Sequence, residues 1–200
     1  RKKVTEDPIT EMLSAKAYDT NIQIPAVIAA YRTPSFKDRD SRILDMISTY
    51  LSDGPSSKLY KKLVDEKKMA LQTGAFNISQ EDYSMYVVYG LPQGEFQLTD
   101  LVLEIDEEIA KLQKELISER DYQKLLNKFE NGFVSSNASI EGIANSLARY
   151  YMLYGDTNLI NNEIDIYRSI TREEIRNVAN KYLNTNQRLV LEYLPESENN

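Results

Sequence analysis

Residues 50–76 read YLSDGPSSKLYKKLVDEKKMALQTGAF, and this stretch decides the fold. It predicts a helix end, a tight turn, a second helix and then a strand. Asp53-Gly54-Pro55 is the break, because Gly54 tolerates the positive φ that ends a helix and Pro55 cannot continue one. Ser56 or Ser57 is placed to cap the next helix, with Leu59, Leu63 and Tyr60 on an apolar stripe. From Ala70 the period changes: Leu71, Gly74, Phe76 and Ile78 suit a half-buried strand.

Upstream, residues 1–21 are polar and irregular and read as an incoming arm or linker. Ile22 to Arg32 is a short run rich in β-formers that reads as a strand, ended by Thr33-Pro34-Ser35. Asp38 to Leu51 follows as a helix, with Ile43, Leu44, Ile47 and Leu51 on one face. Downstream, Tyr83 to Gly90 pairs as a hairpin with residues 70–80, the turn falling near Gln80-Glu81-Asp82. Five helices follow, over residues 98–116, 118–133, 139–154, 160–170 and 171–183. Ser118-Glu119-Arg120-Asp121 and Thr171-Arg172-Glu173-Glu174 both read as capping patterns. Arg188 to Leu194 is a last strand, and residues 196–200 a polar tail.

This order lacks regular βαβ alternation, so the fold class is α+β: one mixed or antiparallel sheet covered by a helical layer. No polar linker interrupts the middle, and one domain is expected over residues 22–195.

Composition narrows the chemistry. The 200 residues are 42% hydrophobic and 28% charged, ordinary values for a globular chain. The net charge of −7, from 31 acidic and 24 basic residues, disfavours nucleic-acid partners. No cysteine is present, which removes disulfides and thiol chemistry. No histidine is present either, which removes His-based triads and His-containing metal sites. No apolar run is long enough for a membrane span. The chain starts at Arg1, which reads as a fragment or processed product.

Few residues qualify for chemistry. Glu104, Asp106, Glu107 and Glu108 form the densest carboxylate group, and Glu104 with Glu108 is spaced for a shared divalent cation. The favoured reading is a solvated face paired with Lys111 and Lys114. Lys58, Lys61, Lys62, Lys67 and Lys68 read as the basic side of a mixed-charge exposed helix. Ser56, Ser57, Ser135 and Ser136 lack a histidine to activate them, and Ser57 and Lys58, as helix neighbours, point apart. The single glycine at position 54 makes no phosphate-binding loop. The tyrosines read as half-buried packing residues. From the residues alone, no self-contained active site emerges.

YRTP at 31–34 followed by LSDGPSSKLYKKLVDEKKMALQTGAF at 51–76 resembles the C-terminal, inactive domain of the M16 zinc peptidases, the family of pitrilysin and the mitochondrial processing peptidase. The matching features are Gly54, then Ser56-Ser57-Lys58-Leu59-Tyr60, then Leu63 to Lys68 with Glu66, then Met69-Ala70-Leu71. The element order agrees from about residue 22 to 194. The resemblance implies the LuxS/MPP-like metallohydrolase fold. It also implies that zinc is bound by a His-x-x-Glu-His motif in a preceding domain of a longer parent, so that no catalytic or metal residue is expected here.

Such a domain closes half of a chamber around an unfolded peptide. The expected partners are therefore the N-terminal domain of the same parent, a homo- or heterodimeric M16 subunit, and the peptide. Many relatives supply an arginine and a tyrosine, seven residues apart, that hold the substrate backbone; aligned here, those positions are Val64 and Leu71, both aliphatic. The resemblance thus implies the non-catalytic half of a zinc metalloendopeptidase. The alternative is a degenerate scaffold or interaction subunit without peptidase activity. Bacterial relatives point to a periplasmic or cell-envelope location.

Overall fold

The computed structural model describes residue 5 and residues 7–196. The strands are β1 (Leu13–Asp19), β2 (Ala26–Pro34), β3 (Ala70–Ile78), β4 (Tyr83–Pro92) and β5 (Arg188–Pro195). The helices are α1 (Arg39–Ser52), α2 (Leu98–Lys114), α3 (Glu119–Ser136), α4 (Ile140–Tyr154), α5 (Leu159–Arg168) and α6 (Arg172–Tyr182), with a π-helical segment at Tyr60–Glu66. The chain divides into two compact units: Arg1–Leu116 with Ile175–Asn200, and Ile117–Glu174.

The first unit holds one open sheet of order β1-β5-β2-β4-β3, in which β1 runs parallel to β5 and the other pairs are antiparallel. The α+β expectation with a mixed sheet holds. One cross-strand row shows how the helices cover it. Asn77, Tyr86, Tyr31 and Arg188 are successive partners on β3, β4, β2 and β5, so their side chains leave the same face. At one end of this row the Asn77 amide donates to Ser41 Oγ and Asp45 Oδ1 of α1. At the other, Arg188 donates to both carboxylate oxygens of Asp106 on α2, at 2.5 and 2.8 Å, and to the Tyr31 hydroxyl at 2.9 Å. Both helices therefore lie on one face. Burial opposes the charge on Arg188, but Asp106 and Tyr31 outweigh it and raise its pKa.

The core follows from this covering. On β2, Val27, Ala29, Tyr31 and Thr33 are buried while their alternate neighbours are not. Ile43, Leu44, Ile47 and Leu51 of α1 and Leu101 and Ile105 of α2 close over them, each at most 1% exposed; every such side chain contributes roughly 1.5–3 kcal/mol. The opposite face carries Phe76 and Tyr89, rings edge-on at 6.2 Å. Gly74 lies beneath Tyr89, where a Cβ would stand 2.5 Å from Tyr89 Cε1.

In the second unit, the hydroxyls of Ser118 and Ser139 accept from Asp121 N and Gly142 N, capping α3 and α4. Thr171 and Glu174 exchange the reciprocal bonds of a capping box ahead of α6. Phe129 stacks on Tyr167 at 4.4 Å, holding α3 to α5.

Two local readings are corrected. Residues 13–19, within the stretch read as an irregular arm, form β1. Their side chains are mostly exposed, so the strand exists through backbone pairing with β5 rather than through an apolar pattern. The second strand also starts later and ends later than Ile22 to Arg32, at Ala26–Pro34.

Candidate functional site

The corner read from residues 50–76 is an unusual piece of backbone. Gly54 adopts φ +79°, ending α1 as its sequence implies. Ser57 does not cap a helix N–H; its hydroxyl is buried and donates to Gly54 O at 2.7 Å. The next helix is wound wider than α: Lys67 N donates to Lys62 O, five residues back, and Met69 N to Leu63 O, six back. Lys68 then takes φ +51°, the sole non-glycine residue with a positive φ among the described residues, at an energetic cost. Gln93 N–H donates to Met69 O, tying the exit to the end of β4. A register shift between Ala70 and Gln72 bulges Leu71 out of the ladder, half exposed.

The wide helix turns Lys62 inward. Its ammonium lies 2.9 Å from Glu104 Oε2, 2.8 Å from Glu107 Oε2 and 3.3 Å from Glu108 Oε1. Lys67 adds a 2.5 Å contact to Glu104, and Lys111 one of 2.6 Å to Glu108. Desolvation works against the Lys62 charge, but the three carboxylates prevail and push its pKa up to about 12. For Glu104, burial is likewise overcome by Lys67 and Lys62, and its pKa falls.

Two expectations fail here. The acidic run is not a solvated face at Glu104 and Glu108, whose side chains are 15% and 10% exposed, and Lys62, at 11%, is not part of an exposed basic surface. The signal was present. Lys62 lies three residues after Leu59 and one before Leu63, on their stripe; Glu108 lies three after Ile105 and four before Leu112, on theirs. Charged residues at core positions of two facing helices call for each other.

Beside this corner, in the same unit, is a cavity of about 580 Å³, within the size range of small-ligand sites. Its floor is one end of the sheet, where Lys16 of β1 and Glu192 of β5 pair at 2.9 Å. Ile24 and Pro25 of the β1–β2 loop, Phe96 of the β4–α2 loop, Leu98 at the start of α2 and the bulged Leu71 supply its apolar walls. Ile24, Leu71 and Phe96 are each 42–50% exposed, so three large apolar side chains meet water around one concavity. None of these loop residues announced itself in sequence as a cavity wall, Ile24 and Pro25 reading as strand, because a wall built from two loops and a bulge has no periodicity.

Of the sequence-selected positions, Leu71 lines this cavity and Val64 is half-buried on the π-helical segment outside it. Leu59 and Leu63 are wholly buried, while Ser56 and Glu66 are exposed. Gly54, Ser56, Ser57, Leu59, Leu63 and Glu66 form the corner and do not reach the cavity. No set of three or more His, Cys, Asp or Glu placed for a metal occurs among the described residues. The donors present do not fit zinc, since the chain has neither histidine nor cysteine and its densest carboxylates are engaged by Lys62. No helix of the described residues is long and apolar enough to cross a membrane.

Known proteins agree with this architecture. The zinc protease PqqE of Helicobacter pylori is 26% identical over 174 residues, covering 87% of this chain and 39% of its own length; the chain thus spans well under half of that relative. The crystal structure of a protease from Helicobacter pylori superposes with a TM-score of 0.85 at 24% identity, over 94% of this chain and 45% of that one. The periplasmic protease PqqL from Escherichia coli has the same fold, with a TM-score of 0.73 at 16% identity, over 93% of this chain and 21% of its own. The family model described as the peptidase M16 inactive domain matches residues 5–129. The chain belongs to the peptidase M16 inactive-domain family.

Proposed function

We propose that this chain is the non-catalytic half of a zinc-dependent M16 peptidase, that its zinc site lies in a preceding domain of a longer parent, and that it acts by walling in an unfolded peptide. The carrying observation is the match of residues 5–129 to the inactive-domain model in a chain without a single histidine or cysteine. A domain with no imidazole or thiolate contributes surface, and the cavity beside Leu71 is a concave surface with room for a side chain of an extended peptide. The partners under this reading are the catalytic domain of the same parent and the peptide, and the setting is the periplasm or cell envelope. The domain proper runs to about residue 195.

A second reading is a scaffold subunit without peptidase activity: the positions that the resemblance aligns with the substrate-holding arginine and tyrosine are the aliphatic Val64 and Leu71, which suits such a subunit and equally a peptidase that takes the pair from a partner. Zinc content and cleavage of an unfolded peptide by the full-length parent separate the two. One zinc per chain, with cleavage that appears or rises when a partner subunit is added, supports the peptidase. No zinc and no cleavage in either condition leaves the scaffold.

A further inference from the structure

Strand β1 ends the sheet on one side, paired to β5 on one flank and to no strand on the other among the described residues. The backbone groups it turns outward follow from the ladder. At the opposite end of the sheet, a right-handed crossover from β2 through α1 to β3 directs the Ala75 carbonyl away from β4, and there Ser52 Oγ of α1 donates to it at 2.8 Å. Ala75, Val88, Ala29, Val190 and Ser14 are successive partners across the five strands. With Ala75 turned outward, Val88 bonds to β2 and Val190 to β1, which leaves Ser14 pointing away from β5. Lys16 and Tyr18, two and four residues on, share its direction. The N–H and C=O groups of Ser14 and Tyr18 have no hydrogen bond among the described residues.

Such an edge is normally blunted by proline, a bulge or projecting lysines. β1 has no proline, and its register runs unbroken from Leu13 opposite Leu189 to Asp19 opposite Pro195. Its one lysine is drawn back to Glu192 of β5. What complements this edge is the backbone of another extended chain.

We infer that the outer edge of β1 takes a segment of the unfolded peptide as an added strand. This rests on the peptide-confining reading of the domain and deepens it. Two observations select the peptide over a second copy. Lys16 lines the cavity, and a residue docked opposite Lys16 leaves the sheet on the same face. A peptide on this edge is thereby brought to the rim of the cavity. Pairing β1 with β1 of a second copy, in the register that uses Ser14, Lys16 and Tyr18 together, instead sets Lys16 against Lys16, and like charges directly opposite destabilise a sheet. On the other face the docked chain lies beside Ala15 and Ala17, which are too small to crowd it.

Amide hydrogen exchange of the full chain, resolved by NMR, tests this with a fluorescein-labelled peptide of alternating valine and threonine, longer than the seven residues of β1. Fluorescence anisotropy reports whether the peptide is held. With peptide at about ten times its Kd, the Ser14 and Tyr18 amides are expected to exchange about tenfold more slowly. Those of Ala15 and Ala17, already bonded to β5, are expected to change little. Ser14→Pro removes an outward donor and sets its ring in the path of the added strand, and is expected to weaken retention about tenfold. Ser14→Ala is expected to leave retention unchanged, with the Ala15 and Ala17 amides protected in both variants. A peptide that is held while the Ser14 and Tyr18 amides stay unchanged overturns the proposal and leaves the peptide reading standing. So does retention indifferent to Ser14→Pro. Protection of these two amides without peptide, rising with chain concentration, gives the edge to a second copy and also overturns it. No retention in any condition overturns both this inference and the peptide reading.

Discussion

Lys62 Nζ and Glu104 Oε2 stand 2.9 Å apart with both side chains nearly out of water, and this contact joins the π-helical segment to α2. The wide winding at Tyr60–Glu66 and the left-handed Lys68 both have a cost, and the ion network around Lys62 is the interaction placed to hold them. Through Met69 and the bulge, the same segment delivers Leu71 to the cavity wall.

Removing the ammonium should therefore hurt more than an exposed lysine would. Lys62→Met leaves Glu104 and Glu108 close together and mostly desolvated, and is expected to cost about 2–4 kcal/mol. For a chain of this length that lowers Tm by about 4–16 °C, read by scanning calorimetry. Glu104→Gln in the Lys62→Met background should recover part of the loss. A melting point within 1–2 °C of the parent, about the shift of an ordinary surface change, would remove the network from the account.

The network also sets a pH dependence. The Glu104 carboxyl is held below its ordinary value of 4.5, so its contribution is complete above that pH and is lost as pH falls through the lower folded value. Lys62 is raised from 10.5 to about 12, so its contribution is complete below 10.5 and is lost as pH rises through about 12. Urea midpoints measured against pH should show the gap between the parent and Lys62→Met widest at neutral pH and closing in acid. A gap of constant size from neutral pH to acid would contradict the assignment.

Leu71 separates packing from function. Half exposed on a bulge, it can be changed to aspartate with a stability shift of no more than about 0.5 kcal/mol. A charge on the apolar wall should nevertheless weaken retention of an unfolded apolar peptide several-fold, measured by fluorescence anisotropy. Unchanged retention would move the peptide away from this cavity.

Most of the elements were legible in the chain. The helix caps at Ser118 and Thr171, the break at Gly54 and the hairpin of β3 and β4 rest on neighbours within a few residues, and local chemistry suffices for these. Charge and composition excluded imidazole and thiolate sites outright, because a missing residue type cannot be restored by folding. Tertiary structure alone decided the rest. β1 is a strand because β5 lies beside it, with Leu13 opposite Leu189; its own exposed residues carry no alternation strong enough to show it. Lys62 is buried because Glu104, 42 residues away, is placed against it. Read within a single helix, each of these charges belongs to solvent, and only the partner across the interface replaces the water that each gives up.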